Sequence, residues 1–146
     1  MTTAQAIIAT ARTWLGTPFR HQARVKGHGI DCLGFVIGVA RELDLRDKCG
    51  IPLASYDEIT YGRAPSGTYL LRKLESMLDE MPTKDAKSGD LALFTVDGNP
   101  QHLGILTDFN DALGFIHCDS RSKRVVEHGL DEHWRLRLIK AYKWQR

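Results

Sequence analysis

Cysteine and histidine carry the nucleophilic and proton-transfer potential of this chain, with three of the first and six of the second. Cys32 stands apart by position. It follows Asp31, a residue type that caps helices through its carboxylate, and it opens the apolar run CLGFVIGVA. The first turn of a helix presents unpaired N–H groups and a partial positive charge. That setting favours thiolate over thiol and can steady a developing oxyanion. A cysteine in an apolar run is also often a small buried side chain, so position alone leaves both readings open. Cys49 falls in an irregular stretch and Cys118 in a strand pattern, and neither has this setting.

A cysteine nucleophile needs a base, and the base needs an orienting partner. His102 opens HLGIL just after the turn-forming residues Asp97-Gly98-Asn99-Pro100, and His117 lies inside GFIHC. If these segments pair antiparallel through a turn between Asp108 and Leu113, both imidazoles face one side near one end, with Gly104 leaving room beside them. A base at a strand end is placed rigidly and stays close to solvent. Zinc ligation by His102, His117, Cys118 and His128, with His28 and Cys32 in reserve, lacks the close HExxH, HxH or CxxC spacing that starts a metal site. His117 and Cys118, being adjacent, would point to opposite faces of a strand. Neither a metal nor another cofactor is expected. Ser66-Gly67 and Ser88-Gly89 lack the elbow of serine hydrolases, and Gly27-His28-Gly29 lacks the ending of a phosphate loop.

The elements that must position these groups follow from periodicity. Ala4, Ile7, Ile8, Ala11 and Leu15 recur at helical spacing, with Thr2 and Gln5 as a capping box and Gly16 and Pro18 as the stop. A polar loop from Thr17 to Ile30 precedes a second helix over about Asp31–Leu45. An irregular stretch, Cys49 to Gly67, leads to a third helix over about Thr68–Met81. From Gly89 onward the pattern changes to strands: Leu91–Val96, Leu103–Thr107, Gly114–Cys118, Arg124–His128 and Arg137–Trp144. Helices first and strands afterwards predict an α+β domain, N-terminal helices packed on a C-terminal antiparallel sheet. With no linker in view, residues 1–146 are expected to form one domain.

Composition narrows the function classes. At 42% hydrophobic residues the chain is too apolar for disorder, and 3 cysteines are too few for a disulfide scaffold. An odd, sparse set points to free thiols in a reducing compartment. The longest apolar stretch, Cys32–Ala40, is too short to span a bilayer, and the N-terminal residues lack the pattern of a Sec signal, so synthesis in the cytoplasm is expected. The net charge of +2 is uneven, since residues 120–146 hold eight Lys/Arg against three Asp/Glu. That basic stretch is either a solvated face or a surface for an anionic polymer, and no nucleic-acid-binding motif accompanies it. Trp134, Tyr142 and Trp144 are there either to pack the sheet edge or to stack on sugars or bases.

Taken in order, GTPFRHQ, DCLGFVIGVAREL, GDLALF, HLGIL and FIH resemble the NlpC/P60 cysteine peptidases from about Trp14 to Val126. Within that family the likeness is strongest to phage-type members, the tail-associated cell-wall peptidases of bacteriophages and gene transfer agents. The resemblance implies a stripped-down papain-like α+β fold and hydrolysis of amide bonds in peptidoglycan stem peptides. It implies Cys32 as nucleophile, His102 as general base, His117 as orienting residue and Asp31 as a contact for the substrate amine. It further implies peptidoglycan as substrate, tail proteins as partners, and a place in a virion or gene-transfer-agent tail. Leu33 stands where most bacterial members have Ser, and Phe19 where many have Tyr. Two other classes remain beside the peptidase: an amidase or acyl transferase acting on another small substrate, and a tail component without activity.

Overall fold

The computed structural model describes residues 2–58 and 69–144. Helix α1, Ala4–Arg12, is capped by Thr3, whose hydroxyl accepts from the Ala6 N–H at 3.1 Å. The capping box expected at Thr2 and Gln5 does not form: the cap falls one residue later, and the third helical residue is then Ala6, which has no side-chain acceptor to return the bond. Because the helix ends at Arg12, Leu15 leaves the apolar face and is 43% exposed, while Ile7, Ile8 and Ala11 are buried. A two-residue hairpin, β1 (Arg24–Val25) with β2 (Gly29–Ile30), leads into α2, Cys32–Glu42. Every residue from Leu33 to Ala40 is buried, so α2 is a core helix and not an amphipathic one.

A 3-10 turn, Leu53–Tyr56, precedes α3, Tyr69–Met77, which buries Leu70, Leu74 and Met77. The expected start of α3 at Thr68, and Ser66-Gly67, lie outside the described residues. The chain leaves α3 earlier than its periodicity implies, because Asp79–Met81 pair as an edge strand, β3. Then come β4 (Leu91–Val96), β5 (Asn99–Phe109), β6 (Ala112–His117), β7 (Val126–Gly129), the short helix α4 (Glu132–Arg135) and β8 (Leu138–Lys143). β5 is much longer than the expected Leu103–Thr107. Only Asp97 and Gly98 turn, at φ 52° and 79°, and Asn99 already pairs with Val96. Positive φ at both central residues fits the strand twist of a tight hairpin, and Asp-Gly tolerates it.

The main sheet has the order β3-β8-β4-β5-β6-β7, with all pairs antiparallel. Alternation divides its side chains between two faces. Leu91, Leu93, Leu103, Ile105 and Ile116 join α1, α2 and α3 in a large cluster that also takes in Tyr142 and Trp144. Those two aromatics are thus core residues and not a stacking surface. Ala92, Phe94, Leu106, Phe115 and Leu130 form a second, smaller cluster on the opposite face, closed by Trp134. No described helix is long and apolar enough to cross a membrane.

Candidate active site

Asp31 builds the wall from which the site hangs. It caps α2 by accepting the Gly34 N–H at 2.8 Å, and its other oxygen accepts the Gln22 N–H at 2.8 Å, holding Gln22 at φ 63°. Arg24 Nη1 reaches the carboxylate at 3.0 Å, and its Nε donates to both oxygens of Asp57 at 3.1 Å. A Cβ on Gly34 would stand 2.7 Å from Arg24 Nη1, so glycine is what lets the guanidinium lie against the first turn of α2. Asp31 is only 4% exposed, yet it lines a cavity of about 360 Å³ together with Cys32, Gln101, His102, Asp119 and Arg121. Phe19 and Leu33 line it too.

Cys32 is half-buried at the start of α2. Burial, reinforced by the Asp31 charge, pushes its thiol up to about 12, although backbone hydrogen bonding from Leu103 and Leu33 pulls against it. This differs from the thiolate expected of a helix start. Half a charge from the helix end is outweighed when the group leaves water and a full carboxylate stands beside it. Cys118 is buried, donates to the Ile30 carbonyl at 3.6 Å, and is likewise raised to about 12 by burial.

The sheet register decides where the histidines go. Phe94 lies opposite His102, Gly104 opposite His117, and Phe115 opposite His128, so all three imidazoles share the aromatic face. The turn joining β5 to β6 lies at Asn110-Asp111, as the Asp108-to-Leu113 pairing requires. His102 Nε2 meets His117 Nδ1 at 2.8 Å, and His117 Nε2 meets His128 Nε2 at 2.8 Å. A Cβ on Gly104 would come 2.9 Å from the Phe115 ring, so the glycine makes room for the aromatic that backs the histidines. Phe115 stacks on His117 at 4.3 Å, and Trp134 lies 5.4 Å from His102 and 5.1 Å from His117 between ring centroids.

His102 is 3% exposed, because β5 begins three residues earlier at Asn99 and His102 sits inside the strand, facing the cavity, and not at a solvent-near strand end. Burial lowers His102 to about 4, with Asp119 opposing and Arg121 assisting. Burial, then repulsion from His102 and His128, lowers His117 to about 3. Both imidazoles are therefore neutral near pH 7. Burial raises the Asp119 carboxyl, but the Ser122 N–H at 2.8 Å and the nearby His102 bring it below the ordinary carboxylate range.

Of the sequence-derived set, Cys32, His102 and Asp31 line one cavity, and His117 stands directly behind His102. Of the imagined zinc ligands, His28 lies in the exposed β1–β2 loop and Cys118 turns to Ile30. His102, His117 and Asp119 each bring a potential ligand atom within 4.8 Å of the others. That spacing could accept a divalent cation, although the nitrogens His102 and His117 turn to each other already share a proton. Sequence reasoning missed Asp119, Arg24, the place of Trp134 against the histidine rings and the contact of His128 with His117. A signal for Asp119 was available, since it is an acidic residue two positions after His117.

A model of the NlpC/P60 family matches residues 16–143. The chain belongs to the NlpC/P60 family. Its fold is the papain-like α+β fold of that family, here with a six-stranded antiparallel sheet. Among solved structures this NlpC/P60 chain is similar to the NlpC/p60 domain of the peptidoglycan hydrolase SagA, with TM-score 0.65 and 21% identity over 97% of this chain and 99% of that one. It is also similar to an NlpC/P60 family protein from Bacillus cereus, with TM-score 0.68 and 18% identity over 98% of this chain and 40% of that one. An N-acetylmuramoyl-L-alanine amidase from Bacteroides uniformis matches with TM-score 0.59 and 13% identity, over 98% and 99%. Identities this low speak for the shared fold. No curated protein matches the chain.

Proposed function

We propose that this NlpC/P60 chain is a cysteine peptidase that hydrolyses amide bonds in peptidoglycan stem peptides. The observation that carries this reading is the convergence of Cys32 and His102 on one cavity, with His117 hydrogen-bonded behind His102 at 2.8 Å. In this reading the resting pair is neutral. Substrate enters, His102 takes the Cys32 proton, and the sulfur forms its bond to the carbonyl carbon. The tetrahedral oxyanion is met by the Cys32 N–H, which has no acceptor within the first turn of α2. His102 then returns the proton to the departing amine as the C–N bond breaks, and water hydrolyses the thioester. His117 holds the His102 ring. Phe94, Phe115 and Trp134 exclude water, and Trp134 can face the transient imidazolium.

Asp31 is proposed to meet the substrate amine, as the resemblance implies. Its engagement with Gly34, Gln22 and Arg24 makes it also the scaffold of the cavity wall. Phe19 and Leu33, both at the cavity, give this chain a more apolar site than Tyr and Ser would. The phage-type motif pattern supports a finer proposal, that the enzyme is carried in a phage-like or gene-transfer-agent tail and docks on a tail protein there.

The test is digestion of purified peptidoglycan with mass spectrometry of the released fragments, comparing wild type with Cys32→Ala. Release of stem-peptide fragments by the wild type alone is expected. An intact sacculus, together with turnover of a small amide or acyl donor, would move the enzyme to the amidase or transferase class. Probing purified particles for the protein tests delivery, and its absence from particles and envelope overturns the tail assignment.

A further inference from the structure

His128 is absent from the lining of the cavity, yet its ring closes a hydrogen-bonded line that begins there. We propose that His128 is a positioning residue that sets the tautomers of His117 and His102, so that His102 presents an unprotonated nitrogen toward the cavity. The proposal rests on the cysteine-peptidase reading above and adds a fourth member to its machinery.

The direction of the line follows from its far end. His128 Nδ1 lies 2.9 Å from the Gly129 carbonyl oxygen. A carbonyl only accepts, so Nδ1 carries a proton, and a ring with its single proton there has its lone pair at Nε2. That lone pair faces His117 Nε2 at 2.8 Å, so His117 Nε2 must be the donor and His117 Nδ1 the acceptor. His117 Nδ1 faces His102 Nε2 at 2.8 Å, so His102 Nε2 is the donor. In neutral His102 this leaves Nδ1 without a proton, the form a general base requires. One backbone carbonyl on β7 thus fixes proton positions across three strands. The opposite tautomer of His117 would force a proton onto His102 Nδ1 and disable the base.

Geometry supports a built arrangement. Phe115, opposite His128 in the register, lies 4.8 Å from its ring and 4.3 Å from that of His117, so one aromatic locks both orientations. Solvent is kept from His117, which is 2% exposed, so an unpaired His117 nitrogen would find no water to replace its partner.

The experiment compares His128→Gln, His128→Asn and His128→Phe by ring ¹⁵N chemical shifts in the resting protein and by kcat and KM on peptidoglycan fragments. Gln can place an acceptor near the position of Nε2. Asn can hold Gly129 but falls short of His117. Phe keeps the ring packing without nitrogens. The expected result is a single Nε2-protonated form of His117 and of His102 in wild type and in the Gln variant. The Asn and Phe variants should show mixed or reversed tautomers and a kcat lower by at least about tenfold, with KM nearly unchanged. Unaltered tautomers in both Asn and Phe variants would overturn the proposal, and so would wild-type kcat in either. If the Phe variant does not fold, the Asn–Gln contrast carries the same test. The ring shifts read the resting protein, so persistent hydrolysis by Cys32→Ala would sink the peptidase reading without touching this result.

Discussion

The two faces of the main sheet are built for different purposes. One is covered by α1, α2 and α3 and packs aliphatic side chains into a large continuous cluster. The other carries a few aromatic and apolar residues, and among them stand three hydrogen-bonded imidazoles. Burial on the first face stabilises the fold through area removed from water, at about 25 cal/mol per Å². Burial on the second face does something else: it lowers His102 and His117 and keeps them neutral. A single sheet can separate these tasks because successive side chains alternate. Stability and chemistry should therefore respond to different substitutions.

The largest separation is expected at the proposed reacting groups. Cys32→Ala and His102→Ala should each lower hydrolysis by about a thousandfold or more. Cys32→Ala should leave the urea midpoint nearly unchanged, whereas His102→Ala should also lose roughly 1–3 kcal/mol, because it leaves a buried nitrogen of His117 unpaired. Near-wild-type hydrolysis in either variant would refute the assignment.

Next come paired substitutions across the sheet. Leu93→Ala, on the helix-covered face, should cost about 2–5 kcal/mol while the folded fraction keeps its specific activity. Trp134→Leu, on the histidine face, should cost less, roughly 1–2 kcal/mol. By admitting water to His102 and His117, it should raise both and move the acid limb of the pH–rate profile upward. Equal effects of the two substitutions on the acid limb would erase the contrast.

Acid should act through the histidine face. His102 and His117 have folded values below the unfolded 6.5, so the unfolded chain binds more protons as pH falls. Their contribution to stability is present above pH 6.5. It is lost progressively as pH falls toward about 4 for His102 and about 3 for His117. Urea unfolding at pH 7, 5 and 4 should show this decline, and a double variant His102→Gln/His117→Gln should show a shallower one.

Smaller effects concern the cavity wall and the thiols. Asp31→Asn should keep a cap for α2 but weaken the tie to Arg24, costing roughly 1–3 kcal/mol, less than a fully orphaned charge because Asp57 remains. A further loss of activity beyond the unfolded fraction would support contact with a substrate amine. Iodoacetamide at pH 6.5 should label exposed Cys49 before Cys32, because the Cys32 thiol is protonated in the resting site. Faster labelling of Cys32 would restore the helix-start thiolate.

Local pattern made much of this legible. Asp31 before an apolar run announced the start of α2, and the short apolar runs LALFTV and GFIHC, set off by turn-forming residues, announced β4 and β6. Pairing across a short turn was enough to bring His102 and His117 to one face. The ends were less legible: α3 stops early because β3 pairs with β8, some 60 residues away in the chain. β5 is long because Asp97 and Gly98 alone make its turn, a choice between one tight turn and a four-residue one that only strand pairing resolves.

By itself, then, the sequence determined the succession of three main helices and five main strands, the family motifs, and the choice of Cys32, His102 and His117 as candidates, because these rest on local periodicity and on residue type; the β1–β2 hairpin, β3 and α4 came only with the fold. Tertiary structure alone decided that Arg24 ties down Asp31, that Asp119 stands beside two imidazoles, and that His128 completes their line. It also decided that thiol and imidazole rest neutral. Protonation is set by how much water remains around a group and by which charges approach it. Those are sums over residues from α2, β5, β6, β7 and α4, and folding brings them together only once the sheet register is formed.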